Sequence, residues 1–250
     1  MIENTISISG SMKSAFRLWK KHFVKIAVAG FIVYLPTQIC IELASWLLDK
    51  VLSYESIRDI QFANNIYNVI RGLVGAVALI GIINFIVRIL ENKGEQEIGE
   101  IVLHGLKKWP AYIFAMLIAG CKVIVYLLLL IIPGIYKAVR LSFVDCVVAT
   151  ENDSVDEWDE SERLVENYWW KVFGFILLMT LLRFLVELPF LPITFLFSES
   201  NALLNSLSSL IIGIITQILL TYFIVVRAHY YFNLRKIKSN KSELNEEQQE

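Results

Sequence analysis

Five charged residues stand inside otherwise apolar runs of this chain: Lys122, Arg140, Asp145, Arg183 and Glu187. Each charge in an apolar membrane span costs about 2.5–3.5 kcal/mol on insertion scales, so such groups are kept where they pair, hold a ligand or line a polar path. Lys122 follows Trp109 by thirteen residues, and Arg183 follows Trp170 by thirteen. At a rise of about 1.5 Å per residue both lie about 20 Å along their helices. Glu187 is one turn beyond Arg183, the spacing of a helical ion pair. Asp145 reaches Lys122 if their helices pack. The expectation is one buried polar cluster of all five residues. Two chemistries are open to it: ion pairs that fix the helix arrangement, or a pathway or headgroup-binding pocket.

Other site chemistries lack their residue sets. No nucleophile stands beside a base, and no glycine-rich loop precedes a helix in a phosphate-cradling pattern. Cys40, Cys121 and Cys146 fit no zinc spacing, and His22, His104 and His229 have no ligating residue at metal-like distance in the chain. The acidic stretch 151–168 lacks the register of a calcium loop. The expectation is a protein that is not an enzyme and has no cofactor and no metal.

The elements that would carry these residues are membrane helices. Hydrophobic residues make up 56% of the 250 and charged residues 19%, below the ~25% of soluble domains. Mean hydropathy is +0.57. A net charge of −1 gives no basic field for nucleic acid. Long apolar runs cover 23–48, 66–90, 109–132, 169–197 and 203–226, each sufficient for ~30 Å of hydrocarbon. Pro36 and Glu42 interrupt the first run, and Pro189 and Pro192 lie near the end of the fourth. Gly72 and Ala76 mark a face for close helix contact in the second, and Ala111, Ala115 and Ala119 one in the third. The segment 135–150 is shorter than a span and follows Pro133 and Gly134, which are expected to break the preceding helix and relax the backbone. Stretches 11–22, 98–108 and 151–168 have apolar residues at helical spacing opposite charge, the pattern of helices lying on a membrane surface.

Basic flanks orient the chain. Lys13, Arg17, Lys20 and Lys21, then Lys107 and Lys108, then Arg235, Lys236 and Lys238 place both termini and the second connector in the cytoplasm. An even number of crossings must follow Trp109, so 135–150 counts as the fourth of six. The rival is a re-entrant 135–150, with five crossings and an external tail. The fold class expected is all-α: a polytopic bundle of six transmembrane helices in three hairpins, each preceded by an amphipathic interfacial helix. Residues 1–238 form one integral membrane domain in the cell membrane, and 239–250 a disordered cytoplasmic tail.

The central motif resembles a family of bacterial six-helix membrane proteins that includes the membrane domain fused to some glycerophosphodiester phosphodiesterases. The matching residues are Pro133, Gly134, Ile135, Tyr136, Arg140, Ser142, Phe143 and Glu151, then Ser161 and Leu164 leading to Trp169, Trp170 and Gly174. An aromatic and basic exit at Tyr230, Tyr231, Leu234 and Arg235 agrees in layout. The resemblance implies the six-helix fold and no phosphodiesterase activity, since that domain has no counterpart in the sequence. The functional expectation is a multi-pass bacterial membrane protein with a non-catalytic accessory, scaffold or protective (immunity- or stress-type) role. It would act through membrane lipids or a membrane-protein partner, without nucleic acid. The alternative is a transporter or export component for a lipid, amphiphile or ion that uses the buried charges.

Overall fold

A computed structural model describes residues 7–51, 57–152, 155–190 and 202–247. Its elements are all helical, with no strand among the described residues. They are α1 (Ile8–Lys21), α2 (Phe23–Val51), α3 (Ile57–Leu90), α4 (Ile98–Leu129), α5 (Ile131–Arg140), α6 (Val144–Thr150), α7 (Glu157–Val165), α8 (Trp169–Glu187) and α9 (Ala202–Glu247). Five segments are long and apolar enough to cross a membrane: Phe23–Ile41, Asn65–Leu90, Ile98–Leu129, Glu157–Glu187 and Ile211–Asn240.

The chain differs from the sequence reading at four junctions, each for a physical reason. The stretch 98–108 is not a separate surface helix: α4 runs unbroken through Pro110. A capping box between Glu97 and Glu100 starts it. Helix α2 likewise runs through Pro36, and the Thr37 hydroxyl donates to the Val33 carbonyl (2.7 Å) one residue past the carbonyl that proline leaves without its usual donor. Stretch 11–22 forms a helix whose expected apolar face is divided, with Ala15 buried and Phe16 51% exposed. Helix α1 packs along α9, where Trp19 Nε1 donates to Thr221 Oγ1 (3.0 Å) and Asn233 Nδ2 to Ser11 Oγ (3.2 Å), with Ala15 fully buried between them. The supposed tail is helical as far as Glu247, because each residue added to a helix anchored at Leu234 and Ile237 costs little once the first turns exist. Glu42 and Pro192 lie outside the residues whose side chains are described.

The break after α4 falls at Leu130, whose φ of −164° and ψ of 147° are extended. Pro133 therefore sits in the first turn of α5, where its missing N–H would have had no helical partner. Gly134 is there for proximity, not freedom: a Cβ would overlap the side chain of Leu127 and press on its Cα. Helices α5 and α6 then run back along α4, so that Ala115 and Ala119 bury against Leu141, Val144 and Val148. The hairpin tip is left bare, with Leu128 83% and Ile132 81% exposed.

Helices α3 and α4 are antiparallel and meet at two glycines. A Cβ on Gly81 would overlap the Ile101 carbonyl, and one on Gly105 the Val77 carbonyl. Further along, Trp109 Nε1 donates to the Leu73 carbonyl (2.7 Å). The close helix contact expected at Gly72 is thus made at Gly81 instead, and Gly72 faces open space. Replacing Gly105 with Val is expected to lower stability by about 3 kcal/mol, the upper part of the range for overpacking. Gly72→Ala should be neutral or stabilising by up to about 1 kcal/mol. Thermal unfolding of the two variants in one detergent checks both; equal midpoints would refute the assigned contact.

Candidate functional site

The sequence-predicted charges take four separate sets of partners. Asp145 is 3% exposed at the start of α6. Its Oδ1 accepts from the Cys146 amide (2.9 Å) and from Arg227 Nη2 (2.9 Å) on α9. The first turn of a helix favours a carboxylate, so the site suits its charge before Arg227 arrives. Arg140 and Lys137 both pair with Glu162 of α7, Arg140 Nη2 at 3.4 Å. Lys122 lies over the Trp158 ring, 4.7 Å from its centroid. Arg183 Nε donates to Glu187 Oε1 at 2.9 Å, and both side chains are exposed. The structure does not bring Lys122 to Asp145; the partner is Arg227, which lies just past the last apolar run, 203–226.

These pairs surround the turn between α5 and α6. A turn in an apolar setting leaves backbone groups that only the protein can satisfy. Ser161 Oγ donates to the Arg140 carbonyl (2.8 Å) and accepts from the Phe143 amide (3.2 Å). Arg227 donates to the Ser142 carbonyl. Phe143 is buried and stacks on Tyr230, which also lies 4.0 Å from Phe175, centroid to centroid. Above it, Tyr231 shares a hydrogen bond with Thr150 (3.1 Å), and Arg235 bridges Glu91 (2.9 Å) and Glu151 (3.1 Å). At the other end Trp169 Nε1 donates to the Tyr136 carbonyl (3.3 Å) and the two rings stack. Leu164 is buried, whereas Gly174 faces open space. Most of the motif residues therefore share one junction.

Helix α7 is part of that junction. Asp156 caps it by accepting from the Trp158 and Asp159 amides (3.0 Å each). Trp158 Nε1 donates to the Ala115 carbonyl (3.0 Å). The acidic stretch thus has basic partners within the chain: Glu162 on Lys137 and Arg140, and Glu151 on Arg235.

Beside the junction the helices part. A cleft of about 480 Å³ lies between α3, α8 and α9, with α4 and the α5–α6 turn at its edge. Its apolar walls include Leu79, Ile176, Met179, Leu220 and Ile224. Its polar lining is Tyr112, Ser142, Thr180, Arg183, Gln217 and Arg227. The carboxylates of Asp145 and Glu187 are outside the lining, behind the two guanidinium groups they pair with. The Ser142 hydroxyl oxygen is buried and has no hydrogen-bond partner among the described residues. Gly72 and Gly75 open onto the same space, with nothing within 4 Å of a Cβ at either. Among the described residues no group of three or more His, Cys, Asp or Glu could hold a metal ion.

Sequence reasoning missed Arg227, Glu162, Gln217 and Tyr112. A signal for Arg227 was present, since the apolar stretch before it resumes at Tyr230, Tyr231 and Phe232, with His229 between. No protein-family model, curated protein or solved structure matches this chain.

Removing one partner of the Asp145–Arg227 pair leaves the other charge without its counterion. Asp145→Ala is expected to cost about 3 kcal/mol, the low end for a broken buried pair because Arg227 keeps access to the cleft. The double variant Asp145→Leu, Arg227→Leu should recover part of that loss. A double-mutant cycle read by unfolding in detergent tests this, and additive single effects would show that the pair is not coupled.

Proposed function

We propose that this chain is a multi-pass protein of the bacterial cell membrane with a non-catalytic accessory or scaffold role, acting through membrane lipids or a membrane-protein partner. The observation that carries this reading is the use made of its charges. Asp145, Arg140, Glu162 and Arg227 are spent on joining α5, α6, α7 and α9 to one another. Charges so engaged hold a frame and are not free to pass an ion along. Membership of the six-helix family suggested by the central motif belongs to the same proposal, supported by the way those residues gather at one junction. A protective role of the immunity or stress type falls within it. The cleft and its two arginines favour a second reading, carriage of an amphiphile between leaflets or to an export partner.

The topology proposed is six crossings, with both termini cytoplasmic. Its support is the return of α5 and α6 along α4, which brings the Ala149 carbonyl to His104 Nε2 (2.9 Å) and the Glu151 carbonyl to Lys108 Nζ (3.0 Å). One contact favours a different arrangement. Helix α7 has exposed Asp159 and Arg163, yet lies against α4 at Ala115 and Lys122. With α7 in water, the hairpin would dip into the bilayer by its apolar tip without crossing.

Two measurements bear on these readings. In a chain with Cys40 and Cys121 replaced by Ser, single cysteines at Asn92 and Asn152 should react with an impermeant thiol reagent from one side of the membrane. One at Leu130 should react only from the other. Labelling of Leu130→Cys from neither side would replace six crossings by a dipping hairpin. Native mass spectrometry of the protein extracted in mild detergent from its own membrane should show a stoichiometric protein partner. Its absence, together with loss of the deletion-complementing activity in Arg183→Leu alone, would favour carriage over the scaffold role.

A further inference from the structure

The cleft is open where the rest of the bundle is closed, and its lining is chemically one-sided. Two arginines, a tyrosine, a threonine and a glutamine line it, with Ser142 at its edge and the serine oxygen buried beneath the surface, and no carboxylate is among the lining residues. Arg227 uses Nη2 on Asp145 and the Ser142 carbonyl, and its guanidinium also lies at the edge of the cleft. Arg183 uses Nε on Glu187. The Ser142 oxygen is buried beside Arg227 with no partner among the described residues. A buried polar group without a partner costs about 1–3 kcal/mol, so an occupant that supplies an acceptor oxygen there is stabilised. Guanidinium favours phosphate and carboxylate oxygens for geometric reasons as well as charge. The remaining walls are apolar, aliphatic side chains together with Phe143, Phe175 and Phe223, and the cleft volume is within the range of small-molecule sites.

We propose that this cleft binds one anionic membrane amphiphile, with phosphate oxygens on Arg227, Ser142 and Tyr112 at one end and an acyl chain along Leu79, Met179 and Ile224. Arg183 and Thr180 of α8 and Gln217 of α9 line the cleft further along, Gln217 ten residues before Arg227 on the same helix, and meet a second polar group of the amphiphile. The glycines Gly72 and Gly75 make the room: any larger residue at either position projects into the space the chain would fill. The occupant is a lipid of the surrounding bilayer and not free phosphate, because a small anion leaves the apolar walls uncovered. This inference rests on the reading of α3, α8 and α9 as membrane helices. It holds whether the α4–α5 hairpin crosses or dips.

The full-length protein, purified in a neutral detergent, is titrated with phosphatidylglycerol and followed by native mass spectrometry. One lipid should be retained per chain. Gly75→Leu should weaken retention about tenfold or more, a change of about 1.4 kcal/mol, and Ser142→Ala severalfold. Diacylglycerol with the same chains, which lacks the phosphate, should be retained about tenfold less well. Unfolding temperature without lipid should be unchanged in Ser142→Ala; if Gly75→Leu lowers it, Ser142→Ala and Arg183→Gln decide. Retention unchanged in those variants, or equal retention of diacylglycerol, overturns the site. Displacement of the lipid by millimolar inorganic phosphate overturns the lipid as occupant and leaves a free-anion site. The membrane reading fails separately, if alkaline carbonate washing releases the protein from membranes without detergent.

Discussion

A helix broken in an apolar setting must find partners for the backbone groups it exposes, and the α5–α6 turn is such a break. Its carbonyls at Arg140 and Ser142 and its amide at Phe143 are met by Ser161 from α7 and Arg227 from α9. Neither partner is local in sequence. The turn makes local backbone bonds of its own at Leu141, Ser142 and Val144, and α7 and α9 satisfy the groups that these leave over. The energetic reason is direct: leaving such a group unsatisfied costs about as much as the net gain from several hydrogen bonds. Asp145 adds to this, since its carboxylate holds the guanidinium that caps Ser142.

The same requirement explains why the charges divide as they do. Lys137 and Arg140 lie at the last turn of α5, where the helix dipole favours cations, and Asp145 lies at the first turn of α6, where it favours an anion. The break thus sets two positive groups next to a negative one. Each then takes its opposite from another element, Glu162 from α7 and Arg227 from α9. A single five-residue cluster would have needed Lys122 to cross to α6. The indole of Trp158 lies in that direction and takes the ammonium by cation–π attraction, which an aromatic ring supplies without a buried carboxylate.

Long-range apolar pattern was legible in the sequence, because helices of twenty or more residues average over local exceptions. The residue-level breaks were less so. Pro133 reads as a helix stop, yet Leu130 is the break, and nothing about leucine marks it; the extended conformation there follows from the α5 hairpin closing on α4. Pro36 reads as an interruption, but a long helix packed on its neighbours absorbs one missing hydrogen bond, as α4 also does at Pro110. Pairings between α6 and α9 were not legible, since Asp145 and Arg227 are 82 residues apart and helical spacing says nothing about which helices meet. The i,i+4 spacing of Arg183 and Glu187 was readable because one helix sets it.

Glycine makes the contrast between the frame and the cleft most plainly. On α3, Gly81 is filled by the backbone of α4, while Gly75 and Gly72, six and nine residues before it, are filled by none of the described residues. The two kinds of glycine have opposite energetic meaning. At Gly81 the absent side chain is repaid by close backbone approach to Ile101, as is the one at Gly105 on α4 by Val77. At Gly72 and Gly75 each glycine costs about 0.5–1 kcal/mol relative to alanine in a helix interior and receives no contact in return. A helix that holds such residues on one face, opposite two arginines whose carboxylates stand behind them, has its closed end organised for stability. Its open end is shaped by something other than the packing of this chain.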